Sequence, residues 1–182
     1  MTKLDLNELA HQIHQQNVDL GWWDEPREAG TLLMLVVSEI AEAMEGERKD
    51  LMDNHLTHRK MAEVELADAV IRLLDIAGYY NLTLSFNFNE NNLNQELNFL
   101  GKKKGSQLLA IVDIITLAAY GSLSISQASS NMAISEAIEF IYYYASLYNY
   151  DIDSAMLEKI EYNRTRPDHQ KENRLATGGK KF

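Results

Sequence analysis

The sequence of 182 residues contains no cysteine and only two prolines, Pro26 and Pro167. Without cysteine the chain has neither a disulfide framework nor a thiolate metal site, so any metal must be held by carboxylate, carbonyl, histidine or water ligands. Because proline is scarce, long stretches of the chain are free to form uninterrupted helices. A reducing cytoplasm fits the absence of cysteine, and we expect a cytoplasmic protein.

An excess of positive charge is also lacking. Seventeen lysine and arginine residues stand against 27 acids, which gives a formal net charge of -10. Nucleic-acid polymers and anionic membranes need a positive protein surface, so we expect neither as a partner. The last 24 residues are the exception, because they hold seven basic residues against three acids. This local excess permits an anion site.

The chain has no long apolar run. The longest, residues 108–120, has 13 residues and contains Asp113, which predicts a buried helix and not a membrane span. The N-terminus is amphipathic and lacks the apolar segment of a signal peptide. A content of 46% hydrophobic and 24% charged residues is typical of a globular protein. We therefore expect a single domain over residues 1–182.

Apolar residues recur with helical periodicity, and this pattern predicts an all-α fold, a bundle of five to six helices. The second helix is expected to end near Gly46, a residue type common after helix ends. Residues 81–98 contain seven asparagines, which predicts a turn-rich linker, and the next two helices most simply form a hairpin. The predicted helices span residues 4–17, 27–45, 61–80, 106–120, 134–148 and 152–163.

Two pairs of acids stand out by their positions on the predicted helices. Glu39 falls inside the apolar arc of the second helix and Glu42 at its edge, while Glu65 and Asp68 belong to a narrow polar stripe on the third. Helices joined by a short loop pack antiparallel, so these acids can face each other. Four facing carboxylates need positive charge to stay ionised, and Mg²⁺, or Mn²⁺ in its place, supplies it. The alternative for either pair is a solvated helix face.

The pattern Glu39-x-x-Glu42, then 22 residues, then Glu65-x-x-Asp68 resembles the signature of the MazG-like all-α nucleoside triphosphate pyrophosphohydrolases. The chain is similar to compact bacterial and phage members in the segments GWWDEPRE, SEIAEAMEGERK, EVELADAVIRLLDIAG and KIEYNRTRP…GGKKF. The resemblance covers residues 1–80 and 151–182, and it makes residues 81–150 an insertion with a linker and a helical hairpin.

This resemblance implies a MazG-like core and a Mg²⁺-dependent hydrolase. The implied reaction cleaves a nucleoside or deoxynucleoside triphosphate between the α and β phosphates, giving the monophosphate and pyrophosphate. It also implies a homodimer or homotetramer, since the family commonly assembles. The implied catalytic metal ligands are Glu39, Glu42, Glu65 and Asp68.

Two alternatives to this function stay open. The first is a relative specialised for dUTP or phosphoribosyl-ATP, which uses similar carboxylate sites on helices. The second is a catalytically inactive module, in which the inserted segment has turned the core into an interaction scaffold. A P-loop does not compete with these interpretations, because GKKKGS lacks the required spacing.

Candidate substrate contacts lie on both sides of the insertion. By resemblance, the segment KIEYNRTR contacts the substrate phosphates, and its three polar candidates share one helix face; the alternative is an ordinary basic helix end. Arg72 either steadies the phosphates or pairs with Asp68 or Asp75. One tryptophan of the pair at 22 and 23 is expected to stack on a base and the other to pack in the core. The candidates are Trp22, Trp23, Arg72, Lys159, Asn163 and Arg166.

Four other polar residues lie near these motifs. His55 and His58 have metal-like spacing but lack a third soft ligand, so a solvated loop is the stronger interpretation. Glu63 falls in the apolar arc of its helix, which fits an extra ligand, a general base or an acid favoured in a first helical turn. Glu45 has no assigned role.

Overall fold

The computed structural model describes residues 2–87, 103–121 and 127–175, except for the side chains of residues 118–121, 127–130 and 175. Within these ranges the fold is all-α, as predicted, and the one strand-like pairing is an isolated bridge between Met52 and Lys60. None of the helices described is long and apolar enough to cross a membrane. The helices are α1 (Leu6–Asp19), α2 (Ala29–Lys49), α3 (Met61–Tyr79), α4 (Lys104–Gly121), α5 (Gln127–Tyr148), α6 (Ile152–Thr165), a 3-10 turn (Pro167–His169) and α7 (Lys171–Leu175).

Seven α-helices in the described ranges exceed the five or six that were predicted, because the basic tail folds into the short helix α7. Side-chain caps explain where helices α1 and α6 begin. Asp5 accepts hydrogen bonds from the backbone N–H groups of Asn7 and Glu8, both at 3.1 Å, and caps α1. Asp151 does the same for α6 by accepting from the N–H of Ser154 at 3.2 Å.

The predicted end of the second helix was wrong. Helix α2 continues to Lys49 and is followed by Asp50 in the left-handed conformation, with φ 52°. Gly46 instead lies where α2 touches α3, and a Cβ atom built on it would be 2.8 Å from the backbone N of Ala62. Glycine at this position therefore permits the close approach of the two helices.

The inserted region differs from the prediction at the start of helix α5, which begins at Gln127, seven residues before the predicted start. Residues 82–87, after α3, form neither helix nor strand, as the linker prediction required. Leu82 and Leu84 are buried there, and the Asn7 amide bonds to both backbone groups of Leu84 at 3.0 and 2.8 Å. Residues 88–98 of the predicted linker lie outside the described residues.

Helix α3 is the centre of the bundle. It packs against α1, α2, α5 and α6, while α2 also contacts α4, and α4 pairs with α5 as the hairpin prediction required. Fourteen of the 19 residues of α3 are buried, so most of its surface has no access to water. Polar side chains on this helix therefore need partners inside the protein. One continuous apolar core joins α1 to α6.

Candidate metal centre

Helices α2 and α3 bring three carboxylates together. Glu39 and Glu65 are buried, each only 7% exposed, while Glu42 stands at the solvent side of the group. One carboxylate oxygen from each of the three lies within 4.8 Å of the other two. We call Glu39, Glu42 and Glu65 the carboxylate cluster. In the described residues it is the one group of acids and histidines close enough to share a metal ion.

Burial and like charge make the cluster costly to ionise. Burial raises the pKa of the Glu65 carboxyl to about 8, and the charges of Asp68, Glu39 and Glu42 add to the increase, while Lys159 opposes it. Burial likewise raises the pKa of Asp68 against the attraction of Lys159. At neutral pH without a cation, the cluster therefore holds a proton that a bound metal would displace.

Asp68, the fourth predicted ligand, is held by an ammonium group. Lys159 Nζ lies 2.7 Å from Asp68 Oδ2, and the lysine is only 3% exposed. Burial acts to lower the pKa of Lys159, but the attraction of Asp68, with that of Glu65 and Asp53, outweighs it and raises the pKa. The structure thus places Lys159 in the cavity wall with Asp68 beside it and not at an exposed helix end.

Arg72 pairs with the cluster. Its Nε donates to Glu39 Oε1 at 2.6 Å, so Asp68 and Asp75, the partners expected for a salt bridge, were the wrong ones. Asp75 is engaged elsewhere, because Trp23 Nε1 donates to both its oxygens at 3.0 and 3.2 Å. The Arg72 side chain is 39% exposed, and it therefore keeps donors that can reach a ligand.

The two tryptophans have different surroundings. Trp22 lines the cavity, with the guanidinium of Arg174 3.9 Å from its ring centroid. Trp23 stacks on Tyr79 at 4.1 Å between centroids and packs against the core. Of the pair, Trp22 is thus the one placed to touch a ligand, and the aromatic face of Trp23 is already covered.

The basic segment supplies one wall of the same cavity. Asn163 lines it, and its Oδ1 atom is buried with no hydrogen-bond partner among the described residues. Arg166 lines it too, but its Nε and Nη2 bind Asp168 at 2.6 and 2.7 Å, and it lies over the Tyr162 ring at 5.2 Å. Asn163 is therefore free to bind a ligand, whereas Arg166 has to exchange or share its acid.

A cavity of about 440 Å³ encloses these groups. That volume is within the range of small-molecule sites, on the order of 300–1,000 Å³. Its lining carries charges of both signs, with the carboxylate cluster and Asp68 on one side and Lys159 and Arg72 next to them. Such a lining suits a polyanion that is bound together with a cation.

Arg27 and His55 line the cavity although neither was predicted to do so. Arg27 lies two residues before the start of α2, and no role was predicted for it. His55, assigned to a solvated loop, is exposed but lines the cavity and stacks on Tyr162 at 4.7 Å between centroids. The Asp53 side chain folds this loop by accepting from the N–H groups of His55 and Leu56 at 2.8 and 2.6 Å.

Three other polar residues lie outside the cavity. Glu45 pairs with Arg48 at 2.6 Å and with Lys49 on the surface, and hydrogen bonds from Lys49 and Arg48 lower its pKa. Glu63 accepts from Arg59 at 3.1 Å and from the Asp151 N–H at 2.7 Å, so it joins α3 to the start of α6. His58 pairs with Glu158 at 3.0 Å. None of the three is placed to act on a ligand in this cavity.

The donor chemistry of the cluster fits a hard divalent cation. Carboxylate oxygens are the ligands that Mg²⁺ prefers, and it is usually held by one or two of them together with substrate phosphates and water. The pKa of Glu65 is raised by burial and by neighbouring acids that too little positive charge offsets, and a bound divalent cation would supply that charge. Glu39, Glu42 and Glu65 would hold the ion, and Asp68 lies next to them, bonded to Lys159.

The chain was compared with family models, with curated proteins and with solved structures, and none of them matches it.

Proposed function

We propose that this protein is a Mg²⁺-dependent nucleoside or deoxynucleoside triphosphate pyrophosphohydrolase with a MazG-like core. Water is consumed, the link between the α and β phosphates breaks, and the products are a nucleoside monophosphate and pyrophosphate. The observation that carries the proposal is the carboxylate cluster inside a cavity that also holds Lys159 and Arg72. The resemblance of residues 1–80 and 151–182 to that family supports the same reaction.

The acidic and the basic residues of the cavity have different roles in the proposed reaction. The carboxylate cluster binds the cation, and Mg²⁺ bound there supplies Lewis-acid stabilisation of the negative charge on the phosphate oxygens. Lys159 holds Asp68 in place at 2.7 Å, and Arg72 fixes Glu39 at 2.6 Å, so both acids are oriented before substrate arrives. Preorganised charges of this kind lower the barrier because they need no rearrangement during the reaction.

The nucleoside occupies the side of the cavity formed by uncharged and aromatic groups. Trp22 offers a ring face and Asn163 offers an unpaired oxygen that accepts from a base or sugar N–H or O–H. The His55 ring, stacked on Tyr162, extends this side toward the solvent. These contacts select nucleotides over inorganic polyphosphate, whereas their chemistry does not single out one base.

A substrate panel tests the proposal. Purified protein with Mg²⁺ is offered standard and damaged NTPs and dNTPs, including dUTP, together with phosphoribosyl-ATP, and pyrophosphate is measured separately from orthophosphate. We expect pyrophosphate, and its loss in Glu42→Gln and Asp68→Asn. A preference confined to dUTP or phosphoribosyl-ATP would assign the specialised alternative. If no nucleotide of the panel is hydrolysed, the inactive interaction module is favoured. Release of orthophosphate would show that another bond is cleaved.

Assembly is part of the proposal. Large apolar side chains are exposed on the hairpin, with Leu109 and Met132 at 67% and Leu117 at 63%. Their burial against a second copy would remove apolar surface from water, which supports a homodimer or homotetramer. Light scattering coupled to size-exclusion chromatography measures the mass directly. A mass of one chain, 20.8 kDa, would contradict assembly without affecting the proposed reaction.

A further inference from the structure

Arg27 is a half-buried cation in the cavity wall whose donors are not satisfied. It lies just before α2, and its guanidinium is 5.3 Å from the centroid of the Trp23 ring. Its Nη2 atom is shielded from solvent and has no hydrogen-bond acceptor among the residues that the structure describes. A buried charged donor without an acceptor is costly, so this arrangement requires an explanation.

The charges around Arg27 do not provide that acceptor. The acid whose charge acts on Arg27 is Asp75, which is already bonded to Trp23 and lies 2.9 Å from His14 Nδ1. Burial lowers the pKa of Arg27, the attraction of Asp75 opposes this, and repulsion from Arg72 and Arg174 lowers it further. The charges that act on Arg27 are therefore those of two arginines and one acid.

Arg72 connects Arg27 to the carboxylate cluster. It donates to Glu39 at one side, and its charge acts on Arg27 at the other. A polyanion that shares a cation with the cluster can therefore extend past Arg72 toward Arg27. A guanidinium presents parallel N–H donors that match two oxygens of one phosphate group.

We propose that Arg27 binds the non-bridging oxygens of the substrate's phosphate chain, in the part that leaves as pyrophosphate. The inference rests on the proposed function, since it assigns a role within the same cavity. Arg27 is a binding residue for these phosphates and stabilises the negative charge that the pyrophosphate leaving group gains. The unsatisfied Nη2 atom destabilises the free protein, and a phosphate oxygen that accepts its hydrogen bond removes this destabilisation.

The competing interpretation is that Arg27 only packs on Trp23. A long apolar side chain would then serve as well, because the methylene part of an arginine makes most of its packing contacts. The two interpretations predict different effects of Arg27→Met on pyrophosphate binding. If Arg27 only packs, the affinity stays at the wild-type value, whereas loss of a phosphate ligand weakens it. Removal of an unsatisfied buried donor leaves the melting temperature unchanged or raises it in either case.

The test uses inorganic pyrophosphate as the probe, with titration calorimetry in Mg²⁺ and melting of the free protein. The variants are Arg27→Met and Arg27→Lys, and the control is Arg48→Met, which removes one exposed charge at the other end of α2, outside the cavity. We expect Arg27→Met to weaken pyrophosphate binding roughly tenfold or more, as loss of a charge-assisted hydrogen bond does. Its melting temperature should not fall, and Arg48→Met should change neither quantity.

Arg27→Lys keeps the charge but loses the paired donors, so it should bind pyrophosphate several-fold more weakly than the wild type. It decides the question if the methionine variant does not fold. Unchanged pyrophosphate affinity in the Arg27 variants, or no binding by the wild type, would overturn the inference. The inference would also be overturned if the variants bind a nucleoside more weakly but bind pyrophosphate with unchanged affinity, because Arg27 would then contact the base.

The outcome is separable from that of the proposed function. If the wild type turns over nucleotides but Arg27→Met binds pyrophosphate normally, the reaction stands and the role of Arg27 is wrong. If no triphosphate is hydrolysed but pyrophosphate binding depends on Arg27, the anion site stands and the reaction is wrong.

Discussion

Helix α2 buries carboxylates in two places, and their surroundings are opposite. Near its end, Glu47 accepts hydrogen bonds from the hydroxyls of Tyr144 and Tyr150, both at 2.8 Å, and pairs with Lys104. We call this set the Glu47 anchor, since it fastens α2 to α4 and to the end of α5. Two turns earlier, the buried Glu39 lies with the exposed Glu42 and with Glu65 in the carboxylate cluster, and Arg72 is the direct cationic partner of Glu39.

The difference separates structural from functional burial of charge. A carboxylate surrounded by donors stabilises the fold, because every lone pair that lost water has found a protein partner. Carboxylates that face one another raise each other's pKa and destabilise the free protein. Such an arrangement is retained where a ligand relieves it, and we therefore expect substitutions at the two places to have opposite effects.

The largest expected effect is on activity. Glu65→Gln keeps the shape of the side chain but removes a cation ligand, so kcat/KM with Mg²⁺ should fall by roughly 10³-fold, the equivalent of several kcal/mol of lost metal stabilisation. The melting temperature of the free protein should hold or rise, since a buried like charge is gone. If Glu65→Gln retains its activity or does not fold, the proposed difference between the carboxylate cluster and the Glu47 anchor is contradicted.

Substitution at the Glu47 anchor should do the reverse. Glu47→Ala leaves two tyrosine hydroxyls without their acceptor and should lower the free energy of unfolding by about 2–4 kcal/mol. Turnover per folded molecule should stay near the wild-type value. Tyr150→Phe is the milder companion, expected to cost about 1 kcal/mol. Chemical denaturation measures both, and an anchor variant that is stable but inactive would contradict the assignment.

The pH dependence sharpens the same contrast. The pKa of Glu65 is raised from 4.5 to about 8, so its protonated form is favoured in the folded protein. The stability contributed by that proton is complete below pH 4.5 and is lost as the pH rises to about 8. Without Mg²⁺ the free energy of unfolding should therefore contain a component that falls over this interval.

Mg²⁺ affinity should show the opposite trend and rise through pH 8, because binding has to displace the proton from Glu65. Calorimetry in buffers of different ionisation enthalpy measures the proton released on binding. In Glu65→Gln both trends should flatten. Equal slopes in the wild type and the variant would assign the proton to another group.

The smallest effect concerns the spacing of the two helices. Gly46 lies on α2 between Glu42 and Glu47 and contacts the first residues of α3, the helix that carries Glu65. Gly46→Ala should cost about 1–3 kcal/mol through overpacking. Gly30→Ala is the control in the same helix, where a Cβ meets only Glu28 Oε1 at 4.0 Å. It should stabilise by about 0.4–1 kcal/mol, and equal melting temperatures would contradict the close contact.

Helical periodicity predicted most of the fold because core-facing residues repeat along each long helix. The predicted third helix, residues 61–80, differs from Met61–Tyr79 by one residue. Prediction failed at two helix ends. The residues QASSNMA begin α5 although serine has a low helix propensity. Gly46 lies at a contact between two helices, although glycine often follows the end of a helix.

For the candidate site, position within the apolar arc was the informative signal, and it selected Glu39 correctly as a buried acid. Pairings between distant segments had no such signal. Lys159 meets Asp68 across 91 positions of sequence, and Arg72 meets Glu39 across 33. Arg27 lies in the segment GWWDEPRE and was placed at the start of the predicted second helix, but no role was predicted for it, and only the folded cavity distinguishes it from a surface arginine.

The central claim is that the carboxylate cluster binds a divalent cation, and diffraction from crystals soaked in Mn²⁺ tests it without depending on turnover. Mn²⁺ replaces Mg²⁺ at oxygen sites and gives an anomalous signal that locates it. The account predicts an anomalous peak between α2 and α3, coordinated by Glu39, Glu42 and Glu65, that is absent in Glu65→Gln crystals. Mn²⁺ bound elsewhere, or no peak in the wild-type cavity, would contradict it.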